Sequence, residues 1–243
     1  MIKKLLKSAL GEINLGWLEF MRDPSKQTSW GGPLNGQRFR QRILFDLLFA
    51  VPPKAIVETG TFRGSSTALF AATSLPVYSA EIHPRYFSFS RSRFIRTPNV
   101  RIYHSDSRSF LRQLRDDGRV PKDDVFFYLD AHWEDDLPLR EEVDIIFSTW
   151  ANPIIMIDDF QVPGASYYYD DYGPGKALTL EYLWPVVLSH NIAVFFPSVD
   201  SPEETGKKRG TAVLCTETTA AKIGETVKTL VRHSPRPIRL QET

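Results

Sequence analysis

The stretch Ala55-Ile-Val-Glu58-Thr-Gly60-Thr-Phe-Arg63-Gly64-Ser-Ser66 decides the fold. An apolar run ends in a carboxylate, and two glycines among small hydroxyl residues lead into Thr67-Ala-Leu-Phe-Ala-Ala72, whose composition predicts a helix. A buried strand that turns through glycine into a helix N-terminus is the nucleotide-binding corner of doubly wound α/β proteins. The glycines are spaced G-x-x-x-G, so the turn is neither the G-x-G-x-x-G dinucleotide fingerprint nor a P-loop with its Lys-Ser/Thr. Glu58 just before the turn is unfavourable to a pyrophosphate and argues for a cationic or uncharged ligand. The plain alternative is a βα turn whose glycines only let the backbone bend.

Downstream of this turn the chain alternates strand and helix, the sign of a mostly parallel sheet. Apolar runs predict strands at residues 55–58, 77–81, 100–104, 125–130 and 154–157, with helices from Pro84 onward and over 109–115, 137–149 and 177–188. Residues 192–196 and 211–216 read as a terminal antiparallel pair. Upstream, Ile2, Leu5, Leu6, Ala9, Leu10 and Ile13 recur at helical spacing opposite Lys3, Lys4 and Lys7. This helix is expected to pack on the domain or on a second subunit, which leaves a homo-oligomer open. The alternative is a basic amphipathic helix, within residues 1–22, lying on a membrane surface. Residues 29–36 (S-W-G-G-P-L-N-G) form a turn-rich loop, and residues 37–50 a second helix that Val51-Pro-Pro53 stops. The expected division is a helical extension over 1–53, a cofactor-binding domain over 54–217 with a tyrosine-rich loop at 163–176, and a C-terminal helix and tail over 218–243.

Composition sets bounds. A chain of 243 residues is long enough for a full core, and 42% hydrophobic with 24% charged residues is ordinary for a globular protein. A net charge of +1 argues against nucleic acid as a partner. Cys215 is the sole cysteine, so no internal disulfide framework can form. No apolar run reaches transmembrane length, and no apolar block with a small-residue cleavage site follows the N-terminal lysines, so a cytoplasmic protein is expected.

The segment E-T-G-T-x-x-G, followed by an acid at the end of the next strand, resembles motif I and its partner in class I methyltransferases that use S-adenosylmethionine (SAM). The resemblance covers residues 55–216 and implies a Rossmann-like, seven-stranded sheet with helices on both faces and a terminal antiparallel hairpin. The first three strands each end at or near a carboxylate: Glu58, Glu81 and Asp106. Glu81 stands close to the spacing of about 20 residues at which an acid meets a ribose diol. Carried onto this chain, the resemblance makes Glu58, Gly60, Thr61, Arg63, Gly64, Ser65 and Ser66 the cofactor-binding turn. It places Glu81 and Ile82 at the ribose, Asp106 and Ser107 at the adenine, and Asp130 at the cofactor's far end. Asp106 reads equally as a helix cap. Glu81 would also serve a nicotinamide dinucleotide in a NAD-dependent oxidoreductase; the missing third glycine and Glu58 weigh against that.

Two later strands run Phe126-Phe-Tyr-Leu-Asp130-Ala-His132-Trp133 and Ile154-Ile-Met-Ile-Asp158-Asp159-Phe160. Both are apolar until they end in acids, so Asp130, Asp158 and Asp159 should converge at one rim. Carboxylates gathered there repel one another unless a cation neutralises them, and oxygen ligands suit a hard ion such as Mg²⁺. The pattern resembles the metal-dependent macrocin O-methyltransferase group. That resemblance implies that Asp130, Asp158 and Asp159 hold the metal, that Asp130 and His132 are the catalytic pair, and that His132 takes a hydroxyl proton. His132 as a metal ligand, or as a rim histidine bonded to a neighbour, stays open. The loop Gly164-Ala-Ser-Tyr167-Tyr168-Tyr169-Asp170-Asp171-Tyr172-Gly173-Pro-Gly175-Lys176 follows directly. It reads either as an aromatic lid over a small-molecule or glycan acceptor or as a surface loop packed by its own tyrosines. The expected activity is SAM-dependent, divalent-metal-assisted O-methyl transfer. A non-catalytic module that binds SAM or a metal is the alternative from another class.

Overall fold

The structure, a computed structural model, describes residues 2–132 and 136–234, with side chains from residue 11 onward. Eight strands form one sheet: β1 (Ala55–Thr59), β2 (Val77–Glu81), β3 (Val100–His104), β4 (Val125–Leu129), β5 (Ile154–Ile157), β6 (Ile192–Pro197), β7 (Ala212–Thr216) and β8 (Leu230–Arg232). Their order is β3-β2-β1-β4-β5-β7-β6-β8. The first five are parallel, β7 runs antiparallel to both β5 and β6, and β8 runs antiparallel to β6. The expected doubly wound sheet with its antiparallel end is present. The strand count is corrected from seven to eight, because β8 comes from residues expected to be helix and tail. Its three residues are too short a run to carry an alternation signal.

The central strands β1, β4 and β5 are buried along their length, as near-continuous apolar runs require. Successive residues face opposite sides. Val57, Phe127 and Ile155 join Leu111, Val143 and Leu183 of α5 (Ser107–Asp116), α6 (Leu139–Thr149) and α7 (Leu180–Ser189). Ile56, Tyr128 and Met156 join Leu44, Phe70 and Ile223 of α2 (Arg38–Ala50), α3 (Ser65–Ala71) and α8 (Glu217–Thr226). Each such aliphatic side chain contributes about 1.5–3 kcal/mol on burial. The edge strand β3 is only half covered, which leaves Arg101 and His104 exposed.

The N-terminal helix α1 (Ile2–Arg22) is broken at Gly11, where φ is 68° and ψ 157°, so the apolar face expected from Ile2 to Ile13 is not continuous. Its calls on residues 2–10 lie outside the described side chains. Beyond the break α1 packs on α4 (Pro84–Phe94), with Phe20 edge-on to Phe89 at 5.5 Å. Ile13 is 53% exposed in this chain, in line with Trp17 at 51% and Met21 at 60%. Among the described residues no helix is long and apolar enough to cross a membrane.

Candidate functional site

The ends of β1 and β4 meet at Gly60. Its φ is +89°, and a Cβ there would lie 2.2 Å from the Asp130 carbonyl oxygen, so only glycine allows the turn this close to β4. At Gly64, the left-handed N-cap of α3, a Cβ would lie 2.4 Å from the Phe94 ring. Both glycines are thus required by protein neighbours. Glu58 is buried beneath α3, where it accepts hydrogen bonds from Thr67 and Ser79. Burial pushes its pKa up to about 7 against those two hydrogen bonds.

At the end of β2, Glu81 is fixed by two backbone amides, Phe62 N to Oε2 and His83 N to Oε1, both at 2.7 Å. Each oxygen keeps a lone pair, the arrangement that accepts from a pair of hydroxyls. Ile82 beside it is exposed. The remaining cofactor candidates are engaged elsewhere. Thr61 Oγ1 lies 2.6 Å from Ser79 Oγ, Ser65 Oγ donates to Gln27 O at 3.1 Å, and Ser66 Oγ accepts from Leu34 N at 3.4 Å. Arg63 pairs with Glu19 of α1 at 2.5 Å and stacks over Phe62 at 4.6 Å. The N-terminal segment therefore covers the motif I turn. Asp106 caps α5 by accepting from Ser109 N at 3.0 Å, and Ser107 is buried behind it.

The parallel ladder continues past the strand ends: Asp130 N donates to Thr59 O at 2.9 Å and Asp158 N to Leu129 O at 3.0 Å. This sets the acids side by side. Asp130, His132 and Asp159 each offer a donor atom within 4.8 Å of the others. Asp158 is more enclosed. Its carboxylate accepts from Tyr128 Oη at 2.6 Å, from Asp159 N at 2.8 Å and from Arg40 of α2. Arg40 is 1% exposed and also donates to Gly210 O at 2.7 Å and to Arg209 O. Burial alone would lower the Arg40 pKa, but Asp158, Tyr128 and Asp159 hold it above its ordinary value. Burial would likewise raise Asp158, and Arg40 with the Tyr128 hydroxyl holds it below.

Arg209 closes the other side, with Nε 2.9 Å from Asp159 Oδ1 and a second nitrogen on Asp170 of the tyrosine-rich loop. Four carboxylates (Asp130, Asp158, Asp159 and Asp170) thus face two guanidiniums, those of Arg40 and Arg209. If all four are ionised, they exceed these two guanidiniums by two charges among the described residues. Burial together with Asp158 pushes Asp159 up to about 7, and burial with Asp158 and Asp159 raises Asp130 well above its ordinary value. Asp130 keeps 36% of its side chain accessible, so solvent reaches this carboxyl at the cleft mouth.

His132 is 6% exposed, and its Nε2 has no hydrogen-bond partner among the described residues. Asp170 Oδ2 lies 3.6 Å from it and Asp130 Oδ1 3.9 Å. Burial lowers its pKa against the pull of Asp170 and Asp158, so the imidazole is neutral near pH 7. The tyrosine-rich loop is pinned to this rim. Asp170 N donates to Asp159 O at 3.0 Å, Tyr168 N to Lys208 O at 3.0 Å, and Tyr172 Oη to Asp170 Oδ2 at 2.5 Å. Tyr167 is buried and donates to Val199 O, whereas Tyr168 is exposed.

Sequence reasoning missed Arg40, Asp170 and Arg209. Asp170 sat in a loop already suspected, but the two arginines had no local signal, since both read as ordinary surface positions.

No protein-family model matches the chain, and no curated protein matches it in sequence. Among solved structures it is similar to an O-methyltransferase from Bacillus cereus in complex with SAH, at 16% identity and TM-score 0.54, over 73% of this chain and 81% of that one. It is also similar to a candidate O-methyltransferase from Klebsiella pneumoniae, at 14% identity and TM-score 0.51, over 88% and 96% of the two chains. At these identities the likeness shows the fold, which is that of class I methyltransferases.

Proposed function

We propose that the chain is a SAM-dependent, divalent-metal-assisted O-methyltransferase that acts on a hydroxyl of a small molecule or glycan. The observation that carries this reading is the rim at the ends of β4 and β5. It brings ligand atoms of Asp130, His132 and Asp159 within 4.8 Å of one another and holds a buried imidazole nitrogen with no partner among the described residues, and both features fit a bound cation with a hydroxyl beside it. Glu81, oriented by two amides, fits the ribose of the methyl donor. Asp130 and Asp159 would hold the ion, with Asp158, locked by Arg40 and Tyr128, keeping its charge next to them.

A divalent ion, when bound, lowers the pKa of a hydroxyl it holds. The chain's own part is to orient and to move one proton. His132 Nε2 accepts it from the acceptor hydroxyl, and Asp170, on the same side of the ring, stabilises the imidazolium that results. Tyr168, exposed on the pinned loop, would contact an acceptor.

Calorimetry of the purified protein with SAM, with and without Mg²⁺ and with NAD as control, tests the reading. SAM binding that Mg²⁺ strengthens, and that Asp159→Ala uncouples from Mg²⁺, is the expected result. His132→Ala should keep Mg²⁺ binding and lose methyl transfer to any acceptor the native protein methylates, by about 10²–10⁴-fold. Absence of SAM binding in every condition would overturn the proposal, and NAD binding in its place would favour the oxidoreductase.

A further inference from the structure

The loop Gly32-Pro-Leu-Asn35-Gly36 lies outside the strand-and-helix core, yet it delivers one side chain to the acidic rim. Asn35 Nδ2 donates to Asp158 Oδ2 at 3.2 Å, to Asp158 Oδ1 at 3.4 Å and to Asp159 Oδ1 at 3.4 Å. One carboxamide thus spans both acids of the pair. Its backbone is held in a conformation that most side chains avoid, with φ at 50° for Leu34 and 60° for Asn35. The surroundings keep it there. Lys207 N donates to Asn35 O at 3.1 Å, and Gln37 exchanges two hydrogen bonds with the Arg209 backbone at 2.9 and 2.7 Å.

Side-chain oxygens around a Mg²⁺-like ion stand about 2.1 Å from it, which puts neighbouring ligands of an octahedron about 3 Å apart. The Asn35 amide end already stands at close to that spacing from Asp158 and Asp159. Its nitrogen faces them, the orientation expected where bare carboxylates need a donor; a half-turn of the amide puts Oδ1 in the same place. That a ligand belongs at this rim is indicated independently by the buried, unpartnered Nε2 of His132.

We propose that Asn35 is a metal ligand: its Oδ1 joins Asp159 on the ion, supplied by the N-terminal extension. This rests on the metal-assisted reading above. The competing role is a plain one, in which the amide N–H groups only neutralise Asp158 and Asp159. The two roles predict opposite effects. Removing a ligand weakens metal binding, whereas removing a competing donor frees carboxylate oxygens and leaves metal binding equal or tighter.

The test is calorimetric titration of the full chain with Mn²⁺ alone, with the free-ion electron paramagnetic resonance signal as a second readout. Asn35→Gly removes the carboxamide without straining a left-handed backbone. It should raise the Mn²⁺ Kd about tenfold or more. Asn35→Asp, which keeps an oxygen at that place, should bind at least as tightly as the native chain, and circular dichroism checks that both variants fold. Equal or tighter binding by Asn35→Gly would overturn the ligand role and leave the metal site standing. A native chain that does not bind Mn²⁺ would overturn the metal-assisted reading, and the ligand role with it.

Discussion

Glu142 of α6 shows what burial does to a single carboxylate. It is buried with one oxygen, Oε1, unpartnered among the described residues, and burial pushes its pKa up to about 7 against the pull of the Ser107 and Thr59 hydroxyls and the nearby Arg108. A raised acid binds its proton more tightly folded than unfolded. Below the unfolded value both states are protonated and nothing is lost; as pH rises towards 7 the unfolded chain ionises first and stability falls. The loss from this residue amounts to about 3 kcal/mol on the scale of 1.36 kcal/mol per pKa unit. Glu142→Gln should therefore melt above the native protein at pH 8, with an advantage that shrinks towards pH 5. Thermal melts of both proteins at the two pH values measure this, and an advantage independent of pH would refute the assignment. Glu58 contributes a loss of the same sign to both proteins and cancels in the comparison.

Elements contribute by where they place charge. α2 carries Arg40 into the rim, and truncating one partner of such a buried pair leaves the other uncompensated, at a cost of about 3–5 kcal/mol. Arg40→Met should lose about this much in urea unfolding, and adding Asp158→Asn should restore most of it; a double variant as unstable as Arg40→Met alone would show that the pair is not coupled. The same helix shows where sequence reading stops. Leu44 and Leu47 announce its buried face through helical spacing, and β1, β4 and β5 announce themselves through unbroken apolar runs that end in acids. Those signals are local, and they brought Glu81, Asp130, His132 and the Asp158-Asp159 pair into view. Arg40 is buried because Asp158, 118 residues away, comes to meet it, and nothing in R-F-R-Q-R records that. Arg209 is illegible for the same reason, and of Asn35 the sequence shows only that it lies in the turn-rich loop at 29–36. β8 was missed because three residues cannot display a period, and the break at Gly11 interrupts a pattern that looks continuous in one dimension.

At the scale of the molecule, the N-terminal extension and the sheet are one structure around the site. Glu19 receives Lys26 at 2.7 Å, Arg63 at 2.5 Å and Arg85 at 2.6 Å, and these bonds hold its pKa down at about 2 against burial. Deleting residues 1–22 strips Arg63 and Arg85 of their acceptor beside the motif I turn. SAM affinity should drop about tenfold or more, equivalent to about 1.4 kcal/mol. Calorimetry on the shortened chain decides the matter. Unchanged affinity would mean that this helix stands apart from the cofactor turn and would favour the reading as an interaction module.

The bonds that tie residues 35–40 to the strap at 204–210 span up to 172 positions, from Gln37 to Arg209. Contacts so distant in sequence form only after a long loop has closed, so they are slow to gain and come after local pairing. The βαβ units of the central sheet can assemble as each emerges, whereas the rim waits until the strap has been synthesised. Asp158 and Asp159 become an enclosed site only where residues 35–40 and 204–210 close over them.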